Sequence, residues 1–264
     1  MAKTQKELAF LRDLYVNTAW TKRFTDLADA HLELDEVENL LYLNAGTGDH
    51  CIQLREKLDE RTAVFGRCDD EDMLVIARDK AAAVKADVDF STLRFDDDAF
   101  DLVLADASFV PSSDVMDFVD ETVRVTRTGG TAAFFLPSSG SFGEIFSLLW
   151  EVLFNEDLGD HGHAAEEMIT DIPTVERIEE VAATAGLVNI ALHNAREVFE
   201  FANGGEFVAS PLVSDFLLPK WLNTMSEAEK ERVSAKLSEL IDSEDGDMTF
   251  RFSVKATLVK GEKK

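Results

Sequence analysis

Cysteine is close to absent: Cys51 and Cys68 are the only two in 264 residues, and they do not make a Cys-x-x-Cys pair. A disulfide framework and a thiolate zinc site are both disfavoured by that count, so the natural expectations are a cytoplasmic protein and no metal. Basic residues are also in short supply. Lys and Arg total 26 against 52 Asp and Glu, a formal charge of −26. A field of that sign repels phosphate backbones and anionic lipid, which argues against nucleic-acid and membrane partners; the simplest account is a solvated acidic surface. Long apolar runs are missing too. The greasiest stretch, Ile145 to Phe154, is interrupted by Glu151 and falls well short of the roughly 20 residues of a spanning helix. The opening "MAKTQKELAFLRDLY" has no apolar core flanked by a cleavage site, so no secretory signal is expected.

What is present is a substantial core and an alternating order of elements. Apolar residues make up 45% of the chain, enough for one large α/β domain or two small ones. Thr4 to Leu34 shows helical spacing, with Leu8, Leu11, Leu14 and Tyr15 placed on one face and Phe24, Leu27 and Leu32 further on. Short apolar runs then alternate with helical stretches: Leu40 to Leu43, a helix over about 49–58, "TAVFG", a helix over about 70–83, "DLVLAD", a helix over about 113–125, and "GTAAFFLP". Strands of that length between helices predict a doubly wound parallel sheet covered on both faces. Later come a helix over 142–154, a helix closed by Gly186, and two late strands, "VNIALHNAREVFEF" and "MTFRFSVKATLVK". A helix lies between those strands, capped by Ser226 with Glu229 three residues on. The expectation is a single domain over 1–264: helical lead-in 1–38, cofactor-binding core 39–137, cap insertions 138–175 and 203–247, and late elements of the same sheet at 176–202 and 248–264.

The stretch "NLLYLNAGTGDHC" reads as a strand breaking into a glycine loop and then a helix. A ligand in such a sheet binds beyond the C-terminal strand ends, where Gly46 and Gly48 let it approach the backbone. A triphosphate loop needs Lys followed by Ser or Thr, whereas this loop runs into Asp49 and His50. A dinucleotide fingerprint needs a third glycine where Cys51 stands, and Asp49 would oppose a pyrophosphate. Neither Tyr15 nor Tyr42 is followed four residues on by lysine, so the Tyr-x-x-x-Lys pair of short-chain dehydrogenases is missing and a nicotinamide enzyme is the minority reading. S-adenosylmethionine has no phosphate and carries a sulfonium cation, which suits acidic neighbours better.

Four segments in order then carry a resemblance: "LYLNAGTGD", "VFGRCDDEDMLVIAR", "DFSTLRFDDDAFDLVLAD" and "DETVRVTRTGGTAAFFLP". Together they resemble the class I S-adenosylmethionine-dependent methyltransferases of the small-molecule type. The resemblance implies a seven-stranded, mostly parallel sheet whose last strand is antiparallel, with S-adenosylmethionine as cofactor. It places Asn44, Ala45, Gly46, Thr47 and Gly48 along the methionine part of the cofactor, Asp89 and Phe90 at the adenine, and Ala105 with Asp106 on the far side. The acidic ribose ligand of the family falls on Cys68, with Asp69 and Asp70 next door as substitutes that present a carboxylate to the diol. Tyr42 stands where the family has an acid and Asn44 where it has glycine, though asparagine tolerates the left-handed backbone the turn needs.

Methyl transfer needs little from the protein beyond orientation and, for some acceptors, removal of a proton. His50, Asp106, His161 and His163 are the candidate bases, each with the competing explanation of an ordinary polar residue. The "HGH" at 161–163 has no third ligand nearby and reads as a solvated loop. Phe90, Phe109, Phe142, Phe146, Trp150 and Phe154 either line an apolar acceptor site or belong to the core. The expected activity is methyl transfer to a small molecule. The competing class is a non-catalytic relative, a binding or interaction protein whose cofactor motifs have drifted.

Overall fold

In the computed structural model the chain is described over residues 3–162, 166, 170–245 and 249–264. Among these, seven strands form one sheet in the order β3-β2-β1-β4-β5-β7-β6, mostly parallel with one antiparallel strand. The strands are β1 (Asn39–Leu43), β2 (Ala63–Arg67), β3 (Asp89–Ser91), β4 (Phe100–Asp106), β5 (Thr126–Ser138), β6 (Leu187–Phe201) and β7 (Phe250–Lys263). Parallel neighbours need crossovers, and helices supply them. They are α3 (Asp49–Lys57), α4 (Glu71–Val84) and α5 (Val115–Val125), preceded by α1 (Gln5–Leu11) and α2 (Lys22–His31). The fold class read from the sequence holds.

The burial pattern explains which strand is central. All seven residues of β4 are buried, as expected of a strand covered on both faces, and it pairs with β1 through Leu41↔Val103 and Tyr42↔Leu104. Asp101 is buried at the start of β4, and its Oδ2 accepts from the backbone N–H groups of Glu38 (3.0 Å) and Asn39 (2.6 Å). That carboxylate fixes where β1 begins, and so where its C-terminal end delivers the glycine loop. Turn chemistry was legible where the side chain itself closes the turn. Asp70 caps α4 by accepting from Met73 N at 2.8 Å, and Ser226 and Glu229 make the reciprocal capping box.

The lead-in departs from its predicted face. Between α1 and α2 the backbone winds as a π-helix over Arg12–Thr21, capped at its N-terminus by Leu11 without a side-chain bond. The wider i→i+5 winding rotates the inward side away from that of an α-helix. Ala9, Arg12, Val16 and Trp20 are buried, while Leu14 and Tyr15, placed on the inner face by α-helical spacing, are 63% and 50% exposed.

Contacts divide the chain into two compact units, the first made of 1–136, 174–195 and 256–264, the second of 137–173 and 196–255. The first holds the glycine loop and a core built on Leu41, Val103, Phe134, Val119 and Ile178. The second has an aromatic core in which Phe199 stacks on Phe252 at 4.8 Å and Phe142 and Phe146 meet Trp221 at 5.3 and 5.4 Å. Of the aromatic residues considered for an acceptor site, Phe90, Phe142 and Phe146 are buried, whereas Trp150 and Phe154 are exposed.

One packing detail in the first unit carries a pH dependence. His31 and His193 stack face to face at 3.7 Å, and the buried Nε2 of His193 has no hydrogen-bond partner. Burial, then the neighbouring His31 and Lys260, push the His193 pKa below its ordinary 6.5. A histidine depressed in the folded state favours folding in its neutral form. Its contribution is fully present above about 6.5 and is lost as pH falls from there through the depressed value. The expected result is a melting temperature that drops between about pH 7.5 and about pH 5.5. His193→Gln should shrink that drop; an unchanged pH profile in the variant would assign the acid sensitivity elsewhere.

Candidate functional site

The site is assembled at the C-terminal ends of β1, β2 and β4, where a doubly wound sheet presents its ligand crevice. Leaving β1, the chain turns through three residues with left-handed backbone, Asn44 (φ 52°), Gly46 (φ 56°) and Gly48 (φ 85°). Asparagine does make the turn. Its Nδ2 also donates to the Asp106 carbonyl at 3.2 Å, tying the loop to the end of β4. Ala45 N donates to Arg67 O at 2.8 Å, which ties the same loop to the end of β2. The Phe90 ring lies directly beneath: a Cβ on Gly48 would come within 2.8 Å of it, and one on Gly66 within 2.4 Å.

Two carboxylates face this loop. Asp106 is buried at 3% exposure, and its Oδ1 accepts from Ser108 N at 2.8 Å. Burial pushes its pKa up, against the lowering influence of Arg12 and of the Ser108 hydrogen bond. The second carboxylate is Asp69, just past β2. Asp70 is committed to the N-terminal cap of α4, while Asp69 accepts from Arg12. Cys68 is buried, and burial together with Asp69 and Asp70 pushes its thiol up to about 12, so it stays neutral and contributes bulk only. Asp89 is exposed at the start of β3, next to the buried Phe90.

A cation that sequence reasoning missed sits between the carboxylates. Arg12, buried at 7% exposure, donates from Nη1 to Asp69 Oδ2 at 2.9 Å and places Nη2 3.7 Å from Asp106 Oδ2. Its guanidinium lies against the glycine loop, 3.2 Å from where a Cβ on Gly46 would be, and 5.4 Å from the centre of the Phe109 ring. The same π-helix fastens itself to the loop at two more points. Asp13 Oδ1 accepts from Thr47 Oγ1 at 2.6 Å and from Lys80 Nζ at 2.6 Å, and Asn17 Nδ2 donates to Thr47 Oγ1 at 2.7 Å and to the Asp49 carboxylate. No sequence signal marked Arg12, because the helical spacing of Leu8, Leu11, Leu14 and Tyr15 put the inner face elsewhere.

Where the resemblance expects an acid in β1, Tyr42 makes a different arrangement. Its hydroxyl is 3.4 Å from His50 Nδ1, and His50 Nε2 is 3.1 Å from Asp29 Oδ1. Burial would raise the Asp29 pKa, but hydrogen bonds from His50 and Lys57 overcome it and hold the carboxyl at about 2. Asp29 is therefore a fixed negative charge that orients His50, with the Tyr42 phenol at the far end; burial keeps that phenol protonated. Tyr42, His50, Asp106 and Arg12 share a cleft of about 150 Å³ with Ala45 and Gly46.

The segment that carries the loop has known relatives. The family described as "Methyltransferase domain" (Methyltransf_11) matches residues 41–134, which run from β1 to β5 and include the loop, Asp69 and Asp106. Over that segment the chain is similar to the methyltransferase domain. The chain is 33% identical over 91 residues to a demethylmenaquinone methyltransferase of Shouchella clausii (strain KSM-K16), covering 32% of this chain and 39% of that protein. The alignment thus spans about two fifths of the length of that relative. The methyltransferase fold is shared with a Bacillus halodurans C-125 protein assigned to the methyltransferases, at TM-score 0.58 and 17% identity over 92% of this chain and 99% of that one. It is shared as well with a Haemonchus contortus phosphoethanolamine N-methyltransferase bound to phosphomonomethylethanolamine and S-adenosylhomocysteine (TM-score 0.57, 13% identity, 98% of this chain and 58% of that one).

Two sequence candidates remain, His161 and His163. His161 belongs to the second unit, with Nδ1 3.3 Å from Thr224 Oγ1 and Nε2 3.9 Å from Glu229. His163 lies outside the described residues. Among the described residues no helix is long and apolar enough to cross a membrane.

Proposed function

We propose that this chain binds S-adenosylmethionine and transfers its methyl group to a small-molecule acceptor. The observation that carries the reading is the pocket itself: a left-handed glycine loop faced by Asp69 and Asp106, with a cation held between them. That donor set fits the proposed cofactor. Asp69 would hold the ribose diol, the 44–48 loop and Asp106 would hold the methionine end, and Phe90 would back the adenine. When bound, the cofactor supplies an electrophilic methyl on a sulfonium whose departure as a neutral thioether drives the displacement.

The chain's own part is positioning and proton handling. Asp106, with its pKa raised by burial, is a carboxylate able to accept a proton more readily than an exposed one. His50, oriented by Asp29 and adjacent to the Tyr42 hydroxyl, is the second group able to relay a proton into the cleft. The net charge of −26 supports a small molecule over a nucleic-acid acceptor. The acceptors named for the two methyltransferases above, one acting on demethylmenaquinone and one bound to phosphomonomethylethanolamine, support the same class.

A second reading, a non-catalytic relative, is favoured by one observation: Arg12 fills the pocket, leaving a cleft of about 150 Å³, below the ~300–1,000 Å³ of ligand pockets. Titration calorimetry with S-adenosylmethionine and S-adenosylhomocysteine, with NADH as control, separates the two. Binding in the micromolar range for the sulfur compounds and none for NADH supports the proposal; no binding at millimolar ligand sinks it.

A further inference from the structure

We infer that Arg12 is the resident cation of the cofactor pocket, that a ligand enters by displacing it, and that the two carboxylates it leaves behind select a cationic ligand over its neutral counterpart. The inference rests on the cofactor reading above. Its grounds are the three contacts already described. Each group that the cofactor would need on this side is engaged by one side chain: Asp69 at 2.9 Å, Asp106 at 3.7 Å, and the Gly46 face, where an added Cβ would come within 3.2 Å of the guanidinium.

Arg12 is not a well-satisfied structural arginine. Its buried Nε has no hydrogen-bond partner, and the separation from Asp106 exceeds a good hydrogen bond. A side chain whose purpose was to neutralise Asp106 would be expected to meet it with the paired geometry that guanidinium and carboxylate favour. Arg12 instead spreads over Asp69, Asp106, the Met73 sulfur at 3.9 Å and the Phe109 face at 5.4 Å, as a cation does in a cage that is not shaped to its fork.

Charge balance gives the selectivity. Two carboxylates and one guanidinium leave the pocket with one net negative charge. S-adenosylmethionine carries one net positive charge, so its entry with departure of Arg12 leaves the balance unchanged. S-adenosylhomocysteine is neutral overall, so its entry leaves Asp69 and the buried Asp106 facing each other uncompensated, which raises the energy of the complex. The helix bearing Arg12 is held at the rim by Asp13, at Thr47 and Lys80, and by Asn17, at Thr47 and Asp49.

Arg12→Met keeps length and bulk while removing the charge. Calorimetry on the full chain is expected to show both S-adenosylmethionine and S-adenosylhomocysteine binding at least about tenfold more tightly to Arg12→Met than to the wild type, because each must displace Arg12, with S-adenosylmethionine the tighter of the two in both proteins. Asn17→Ala, which only loosens the rim, should tighten S-adenosylmethionine in the same direction and serves if Arg12→Met fails to fold. In the wild type, hydrogen exchange over 12–21 should speed up when S-adenosylmethionine is added. Weaker binding of both ligands to Arg12→Met would make Arg12 a direct cofactor ligand and overturn the inference, as would unchanged affinities or added protection of 12–21. If S-adenosylmethionine binds neither wild type nor variant, the cofactor reading fails and takes this inference with it; wild-type binding that Arg12→Met does not tighten overturns the inference alone.

Discussion

Asp106→Asn is expected to weaken S-adenosylmethionine binding by about 10- to 100-fold while leaving the protein at least as stable as the wild type. The first half follows from removing one of the two charges that hold a cation in the pocket, a charge-assisted contact worth about 1.5–3 kcal/mol. The second half follows from the direction of the Asp106 pKa. It is raised by burial despite Arg12 and Ser108, so its ionised form is less favourable in the folded chain than in the unfolded one. For a carboxyl raised in this way, folding gains on acidification and loses as pH rises through the unfolded and then the folded value. Neutralising it at pH 7 therefore removes a burden, and asparagine retains the oxygen that accepts from Ser108 N. A stability gain coupled to a binding loss is what a residue kept for function predicts. Parallel calorimetry and thermal melts check both halves. A large fall in melting temperature with unchanged affinity would make Asp106 a structural partner of Arg12 and no more.

The fold was readable from the sequence because its signals were local and repeated. β1, β2, β4 and β5 are apolar runs bounded by turn residues, and the helices between them carry their own caps, as at Asp70. The three-residue β3 has no such pattern and was not read as a strand; only the resemblance marked Asp89 and Phe90. The loop was readable for the same reason: left-handed positions at 44, 46 and 48 call for asparagine or glycine, and those residues are there.

What the sequence hid depends on side chains brought together from distant positions. Arg12 and Asp69 are 57 residues apart, and Asp29 reaches His50 across 21. No spacing rule links them. Arg12 was hidden twice, since α-helical periodicity assigns the inner face to Leu14 and Tyr15 while the π-helix gives it to Arg12 and Val16. Tyr42 shows the opposite limit. Its identity marks a departure from the methyltransferase pattern, but that its hydroxyl would meet a histidine held by Asp29 was visible only in the structure.

The largest loss of stability is expected from Gly48→Ala. Gly48 has φ 85°, and a Cβ there would stand 2.8 Å from Phe90 Cζ and 2.9 Å from the Ala77 Cβ. A left-handed backbone costs an alanine roughly 1–2 kcal/mol, and forcing a methyl into packed neighbours costs about 1–3 kcal/mol more. For a chain of this size each kcal/mol lowers the melting temperature by about 2–4 °C, so a fall of roughly 5–15 °C is expected. Gly140→Ala separates the two costs, because Gly140 has φ 98° with nothing within 4 Å of its would-be Cβ. It should show the backbone cost alone, a fall of about 2–8 °C. The difference between the variants then measures the pressure of Phe90 on the loop. Since Phe90 lies beneath Gly48 and Gly66 at the same time, relief of that pressure has to move the ring or the loop. Gly48→Ala should therefore lose S-adenosylmethionine binding even at temperatures where it remains folded, and Gly140→Ala should keep it. Equal melting temperatures for the two variants would show that the ring yields freely and that the loop is not held from below.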